Sequence, residues 1–293
     1  MSPMNRDWYH PLISGYHQVV RTLRREVLDA RPNQWRLAAD TVARFYVAPR
    51  DMQLKQEVWH GLPTERIVRS SHQPGSPDIL WIHGGGFAFG SPRTHRAGAA
   101  ALAKATGRAV RLIDYPLAPE HPYPEALNAL SEIKEPSPLD IVGDSAGGNL
   151  ALSWALRRGC GDRLILLSPW LDLRVDGPSA QQNSAQHSVF DREDLREYAG
   201  LYLAGHPATH PDCSPILAAD DALRSLGAVL LESSKSEMLH ADAAALASRA
   251  EALGLDLTWV QEEGSHHGWQ LFPDVLPEAQ RSVARMTDFL SLA

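Results

Sequence analysis

Three clusters of residues in this chain could carry chemistry, and each follows an apolar run. Gly143-Asp144-Ser145-Ala146-Gly147-Gly148 comes after the run 139–142 and opens the helical stretch 149–156. This is G-x-S-x-G between a strand and a helix, where a tight turn strains the serine and pushes its hydroxyl out above a sheet. The pattern alone arises by chance in about one chain in ten of this length, given ordinary Gly and Ser usage. The strand before it and the helix after it give it meaning, and Ser145 is expected to be a nucleophile.

The second cluster, His83-Gly84-Gly85-Gly86-Phe87, follows the run 79–82. Glycines there let backbone N–H groups approach a ligand with no Cβ in the way. The N–H groups of Gly85, Gly86 and Ala146 would form a hole for the oxyanion of a tetrahedral intermediate, aided by the positive end of the helix after Ser145. A phosphate-binding loop is the competing reading, but neither G-x-G-x-x-G nor a Walker lysine is present. A purely structural turn is the third. His83 is expected to support the loop through hydrogen bonds rather than to carry protons, and Asp144 to support the serine beside it.

The third cluster, Gly264-Ser265-His266-His267-Gly268-Trp269, follows the last apolar run, 257–260. With 13 histidines in the chain, position must choose the base, and the order nucleophile, acid, histidine points here. Neighbouring residues point in different directions, so only one of the pair can face Ser145. His267 is preferred because Gly268 lets the loop turn sharply, with His266 as the alternative. No H-E-x-x-H or similar pair suggests a metal. The acid should lie beyond the run 228–231, where Glu232, Glu237 and Asp242 are candidates. Glu232 sits close to the strand end, and Asp242 falls in a helical run where an acidic residue favours the N-terminus anyway. Glu237 is preferred, to hold the imidazole's tautomer and stabilise its charged form.

The elements that must position these groups can be read from periodicity. The runs at 79–82, 109–113, 139–142, 164–167, 228–231 and 257–260 are continuous rather than alternating, as in parallel strands buried on both faces. Helical stretches at 94–106, 145–157, 240–253 and 275–291 lie between or after them, an alternation that predicts a doubly wound α/β sheet. Two polar-rich strands are expected near 54–60 and 64–69, around Gly61-Leu62-Pro63. Residues 5–47 show apolar groups at steps of three and four and are expected to be helical. Residues 174–212 break the rhythm, polar at first and helical around 191–203. The division that follows is an N-terminal helical cap segment (1–50), a core (51–173 and 213–293) and a cap insertion (174–212).

Composition excludes several classes. Lys and Arg number 28 against 35 Asp and Glu, a net charge of −7, the wrong sign for a nucleic-acid surface. No run reaches the roughly 18 apolar residues of a membrane span. The N-terminus lacks the basic and apolar segments of a signal peptide, so a cytoplasmic location is expected. Two cysteines, Cys160 and Cys213, cannot build a disulfide framework or a zinc site and are expected to be buried thiols. No cofactor or metal is implied.

HGGGF at 83–87, DYPLAPEHPYPEAL at 114–127, GDSAGG at 143–148, SPWLDL at 168–173, SEMLHADA at 236–243 and HHGWQLF at 266–272 occur in that order. With these motifs the chain resembles the bacterial hormone-sensitive-lipase-like esterases, also called HGGG-type α/β-hydrolases, over residues 54–293. The resemblance implies an α/β-hydrolase fold with a mostly parallel sheet, flanking helices and a helical cap. It implies a triad of Ser145, Glu237 and His267, an oxyanion hole of Gly85, Gly86 and Ala146, and short-chain carboxylic esters as substrates. It also admits a homodimer paired through a core-strand edge. Pro116 stands where the family usually has Arg, which removes an ion pair, and the shortened stretch 124–143 implies a truncated helix. The aromatic residues Trp8, Tyr9, Tyr16, Trp170, Phe190, Tyr198 and Tyr202 are candidates for a compact apolar pocket. A lactone hydrolase or a deacetylase of a secondary metabolite would use the same triad, and a ligand receptor on this fold is the non-enzymatic alternative.

Overall fold

A computed structural model describes Arg36, Leu37, Asp40, Thr41, Ala43, Arg44 and residues 46–71, 76–176 and 190–291. Expectations for Trp8, Tyr9 and Tyr16, and for the polar stretch 177–189, fall outside these residues. Eight strands form one sheet in the order β1-β2-β4-β3-β5-β6-β7-β8. They are β1 (Met52–Trp59), β2 (Leu62–Arg69), β3 (Ile79–Ile82), β4 (Val110–Ile113), β5 (Asp140–Asp144), β6 (Arg163–Leu167), β7 (Val229–Ser234) and β8 (Leu257–Glu262). β1 and β2 form an antiparallel hairpin, β2 runs antiparallel to β4, and β3 through β8 are mutually parallel.

The helices are α1 (Arg96–Thr106), α2 (Glu125–Ser131), α3 (Ala146–Arg158), α4 (Arg192–Leu203), α5 (Asp220–Leu223), α6 (His240–Leu253) and α7 (Pro277–Ser291). Alternate strand residues feed two cores. Ile79, Trp81, Leu112, Val142 and Ile165 meet Leu102 of α1 and Met286 of α7 on one face. Leu80, Ile82, Ile113, Ile141 and Leu166 meet Leu127, Leu150 and Leu246 on the other. The period-two geometry of a strand produces this split, and burial on both faces explains the continuous apolar runs. Closure of α1 is local: Gly107 takes a left-handed φ of 71° and donates its N–H to Ala103, as a helix C-terminus commonly requires.

β4 holds a charge in this apolar setting. Arg111 is buried, with its guanidinium 2.8 Å from Asp78 and paired with Glu57 from β1. Its Cζ lies 4.5 Å from the Trp59 ring centroid. Removing one partner of such a pair would leave an uncompensated buried charge, so the hairpin is fixed to the parallel sheet by charge as well as by ladder bonds.

Most elements fall where the periodicity puts them. β7 runs three residues further than its apolar run, through Glu232-Ser233-Ser234, and β8 two, through Gln261-Glu262. Their backbone ladder continues after the apolar pattern stops. α2 is seven residues long, as the shortened 124–143 stretch implies. One expectation is corrected. Cys213 is buried, but Cys160 is exposed, because it lies just beyond the α3 C-cap, Gly159, in the turn leading to β6. α4 occupies part of the expected cap insertion, and Arg36, Leu37, Asp40, Thr41 and Ala43 are helical in the N-terminal segment.

Candidate active site

The site lies at the C-terminal ends of the parallel strands, where open α/β sheets bind ligands. β5 runs through Asp144 into Ser145, whose φ of 52° and ψ of −121° make it a non-glycine residue at positive φ. Such a conformation costs on the order of 1–3 kcal/mol and persists only when surroundings enforce it. Here the Ser145 N–H donates to Leu167 at 3.0 Å, and its carbonyl accepts from Gly148 and Trp170, both at 3.0 Å. Ser145 stands at the N-cap of α3, yet its side chain makes no capping hydrogen bond. The hydroxyl faces His267 instead.

The turn works because adjoining backbones touch. A methyl on Gly147 would fall 2.1 Å from the Ile82 carbonyl oxygen, and one on Gly84 would fall 2.3 Å from Asp144 Oδ2 and 3.1 Å from Ser145 Cβ. Any side chain at either position would separate the HGGG loop from the serine turn.

His267 Nε2 lies 3.0 Å from Ser145 Oγ, and its Nδ1 lies 2.7 Å from Glu237 Oε2. Glu237 is fully buried, and its Oε1 accepts the Ser234 N–H at 2.8 Å. The carboxylate is thus fixed by the end of β7, and the imidazole is oriented with Nδ1–H toward Glu237 and the Nε2 lone pair toward Ser145. His266 is buried and does not make this contact. The other two acid candidates lie elsewhere. Glu232 is buried within β7, accepting from Ser282 Oγ and Arg285 Nε, both at 2.6 Å. Asp242 Oδ2 accepts the N–H groups of Leu171 at 2.8 Å and Asp172 at 3.0 Å. Burial pushes the Asp242 carboxyl up to about 7, against the pull of those two N–H groups.

Gly85 and Gly86 have φ of 124° and 56°. The Gly85 carbonyl accepts from Ala88 at 3.0 Å and Phe89 at 2.9 Å, closing the loop into a turn. Among the described residues, the N–H groups of Gly85, Gly86 and Ala146 have no hydrogen-bond acceptor. α4 roofs this loop: a methyl on Gly86 would lie 3.0 Å from Tyr198 Cγ. Tyr198, Phe89 and Phe190 pack together with ring centroids 5.5–5.8 Å apart, and Tyr202 stacks on Phe87 at 3.9 Å. Trp170 packs 5.6 Å from Phe87.

His83 stands at the start of the glycine loop. It is fully buried, its Nδ1 lies 2.8 Å from the Gly84 carbonyl, and its ring stacks on Tyr115 at 4.3 Å. Burial, helped by the nearby His95, pushes its pKa down to about 3, so it stays neutral. Asp144 points away from the serine hydroxyl. It accepts from Trp81 Nε1 at 2.9 Å and lies 3.1 Å from His95 Nε2. Burial alone would raise its carboxyl, but His95 and the Trp81 hydrogen bond outweigh this and hold it below its usual value. Sequence reasoning did not find His95 or Trp81 as supports, because neither carries a local pattern.

A strained serine at a strand–helix turn, a histidine oriented by a buried carboxylate and a glycine loop with available N–H groups define a serine hydrolase of the α/β type. Residues 79–271 match the alpha/beta hydrolase fold family, and the chain belongs to it. An acetyl-hydrolase of Streptomyces hygroscopicus is 35% identical over 244 residues, 78% of this chain and 80% of that protein. An esterase of Acinetobacter venetianus is 31% identical over 276 residues, 89% of each chain. A crystal structure of an esterase from the bacterial hormone-sensitive lipase family superposes with a TM-score of 0.84 at 31% identity, covering 96% of this chain and 97% of that one. The chain is a carboxylic ester hydrolase of this hormone-sensitive-lipase-like group.

Proposed function

We propose that Ser145, His267 and Glu237 form the catalytic triad and that the enzyme hydrolyses short-chain carboxylic esters through an acyl-enzyme. The continuous contact from Glu237 Oε2 through His267 to Ser145 Oγ, at 2.7 and 3.0 Å, carries this reading. As Ser145 Oγ attacks the ester carbonyl, His267 Nε2 takes its proton, and Glu237 stabilises the imidazolium without being protonated. The carbonyl oxygen becomes an anion facing the N–H groups of Gly85, Gly86 and Ala146. His267 then gives its proton to the leaving alkoxide, which departs as alcohol. Water, deprotonated by His267, attacks the acyl-serine, and the carboxylic acid leaves as Ser145 regains its proton.

The aromatic cluster of Phe89, Phe190 and Tyr198 against the glycine loop supports a compact substrate space, with α4 and the N-terminal segment acting as the cap. A deacetylase of an acetylated metabolite is the second reading, favoured by the name of the Streptomyces relative. His267 in hydrogen-bond reach of Ser145 argues against a binding-only receptor. No helix among the described residues is long and apolar enough to cross a membrane; a cytoplasmic location is part of this proposal. A homodimer paired through a core-strand edge, such as β8 at the end of the sheet, is part of this reading.

The test is hydrolysis of p-nitrophenyl esters from acetate to palmitate by the wild type and by Ser145→Ala. Turnover highest on the shortest esters and lost in Ser145→Ala is expected. Absence of turnover on every ester by folded wild-type protein would overturn the proposal.

A further inference from the structure

Two side chains from the N-terminal segment reach the glycine loop from outside the α/β core. Arg36 and Asp40 are helical and four residues apart, so they share one helical face. Arg36 Nε donates to the Ala88 carbonyl at 2.6 Å. Its Nη2 donates to the Ala118 carbonyl, and to Glu120 Oε2 at 2.7 Å. Asp40 holds the other end of the same loop: its Oδ1 accepts from Ser91 Oγ at 2.6 Å, and its Oδ2 lies 3.2 Å from Arg93 Nη1.

These contacts converge on the backbone that sets the oxyanion donors. The Ala88 N–H closes the turn onto the Gly85 carbonyl, and Phe87 accepts from the Ala118 N–H at 2.9 Å. Arg36 therefore grips Ala88 and Ala118 together, one residue beyond the hydrogen bond that already joins their two loops. A planar guanidinium presents donors in a fixed fork, which lets one side chain satisfy three oxygens from two loops. Gly85 and Gly86 supply no side chains of their own to hold this turn, so its shape depends on what grips its flanks.

We infer that Arg36 and Asp40 are positioning residues that clamp the 84–93 loop, so that docking of the N-terminal segment sets the alignment of the oxyanion donors. The inference rests on the reading of Gly85 and Gly86 as those donors. Misplacement by about 1 Å can cost a hundredfold in rate. A loosened loop should weaken transition-state stabilisation while leaving substrate binding nearly unchanged.

The experiment compares wild type, Arg36→Ala, Arg36→Lys, Asp40→Asn and the neighbouring control Leu37→Ala on p-nitrophenyl butyrate. Inhibition by a trifluoromethyl ketone, which forms a tetrahedral oxyanion on the serine, is measured alongside. Arg36→Ala is expected to lower kcat about ten- to a hundredfold, with KM within about twofold. Trifluoromethyl ketone affinity should fall by the same factor, and added guanidinium at non-denaturing concentration should restore part of kcat. Arg36→Lys and Asp40→Asn should show smaller losses of the same kind, and Leu37→Ala none. Unchanged kcat, a loss confined to KM, or ketone affinity that stays at the wild-type value would overturn the clamp. Should Arg36→Ala fail to fold by circular dichroism, the same criteria decide on Arg36→Lys and Asp40→Asn. An inactive wild type would instead remove the esterase reading itself, so the two failures are distinguishable.

Discussion

His267 Nε2 and Ser145 Oγ meet at 3.0 Å although 122 positions separate them in the chain. Ser145 directly follows β5 and His267 follows β8, and the parallel order β5-β6-β7-β8 puts both at the same end of the sheet. Glu237, just past β7, completes the contact from between them.

Glu237 should be indispensable for rate and nearly irrelevant to binding. Glu237→Gln keeps the shape but offers His267 Nδ1–H no charge and can present an N–H instead, favouring the wrong tautomer. A fall in kcat of about 10³–10⁴ with little change in KM is expected. Steady-state kinetics on a p-nitrophenyl ester would check this, and a variant retaining a tenth of wild-type kcat would refute it.

Two glycine-to-alanine changes should have opposite signs. Gly147→Ala puts a methyl 2.1 Å from the Ile82 carbonyl oxygen and 2.5 Å from that of His83. Backbone on both sides cannot yield cheaply, so several degrees of Tm and most activity should be lost. Gly200 lies exposed within α4 with nothing near its would-be Cβ. Gly200→Ala should stabilise by about 0.4–1 kcal/mol, chiefly by restricting the unfolded chain. Calorimetry on both variants tests the pair.

Asp242 makes a prediction about pH. Its carboxyl is pushed by burial from an ordinary value of 3.8 to about 7. Between those values the folded chain holds a proton that the unfolded chain has released. The stability it contributes is therefore complete below about pH 4 and lost as pH rises through 7. Asp242→Asn keeps an oxygen for the Leu171 and Asp172 N–H groups but cannot ionise. The Tm of wild type minus that of the variant should decline steadily from pH 4 to 8; a difference independent of pH would show that Asp242 does not titrate in this window.

The two thiols should respond differently to a reagent. Cys160 is exposed, whereas Cys213 is buried and its thiol is pushed up to about 12, mainly by burial. Reaction requires the thiolate and access to it. One equivalent of dithionitrobenzoate should react with native protein at neutral pH and two after denaturation. Two fast equivalents from native protein would contradict the buried position of Cys213.

Much of this architecture was legible because its signals are local. The continuous apolar runs, the glycine loop at 84–86 and the serine turn at 143–148 each state their structure within a few residues. Glu237 against Asp242 was harder, since both follow β7 within a short span. What separates them is a long-range contact, Asp242 turning to the 171–172 backbone and Glu237 to His267. His95, Trp81, Arg36 and Asp40 were not legible, because they act through side chains that meet only once the sheet and its flanking segments are assembled. Cys160 was misjudged for a related reason: the tendency of cysteine to be buried yields to its place just beyond a helix C-cap.

The tight seating of Gly84 and Gly147 also bears on how such an enzyme can change its substrates. With backbone pressed against backbone, neither position has room for a new side chain, and selection cannot reach specificity through them. Variation must enter from the far side of the glycine loop, where Tyr198 lies over Gly86 and Phe190 packs beside it. A mutant library directed at 84 and 147 would return mostly collapsed proteins. One directed at 190 and 198 would keep the chemistry and redraw the list of esters on which it acts.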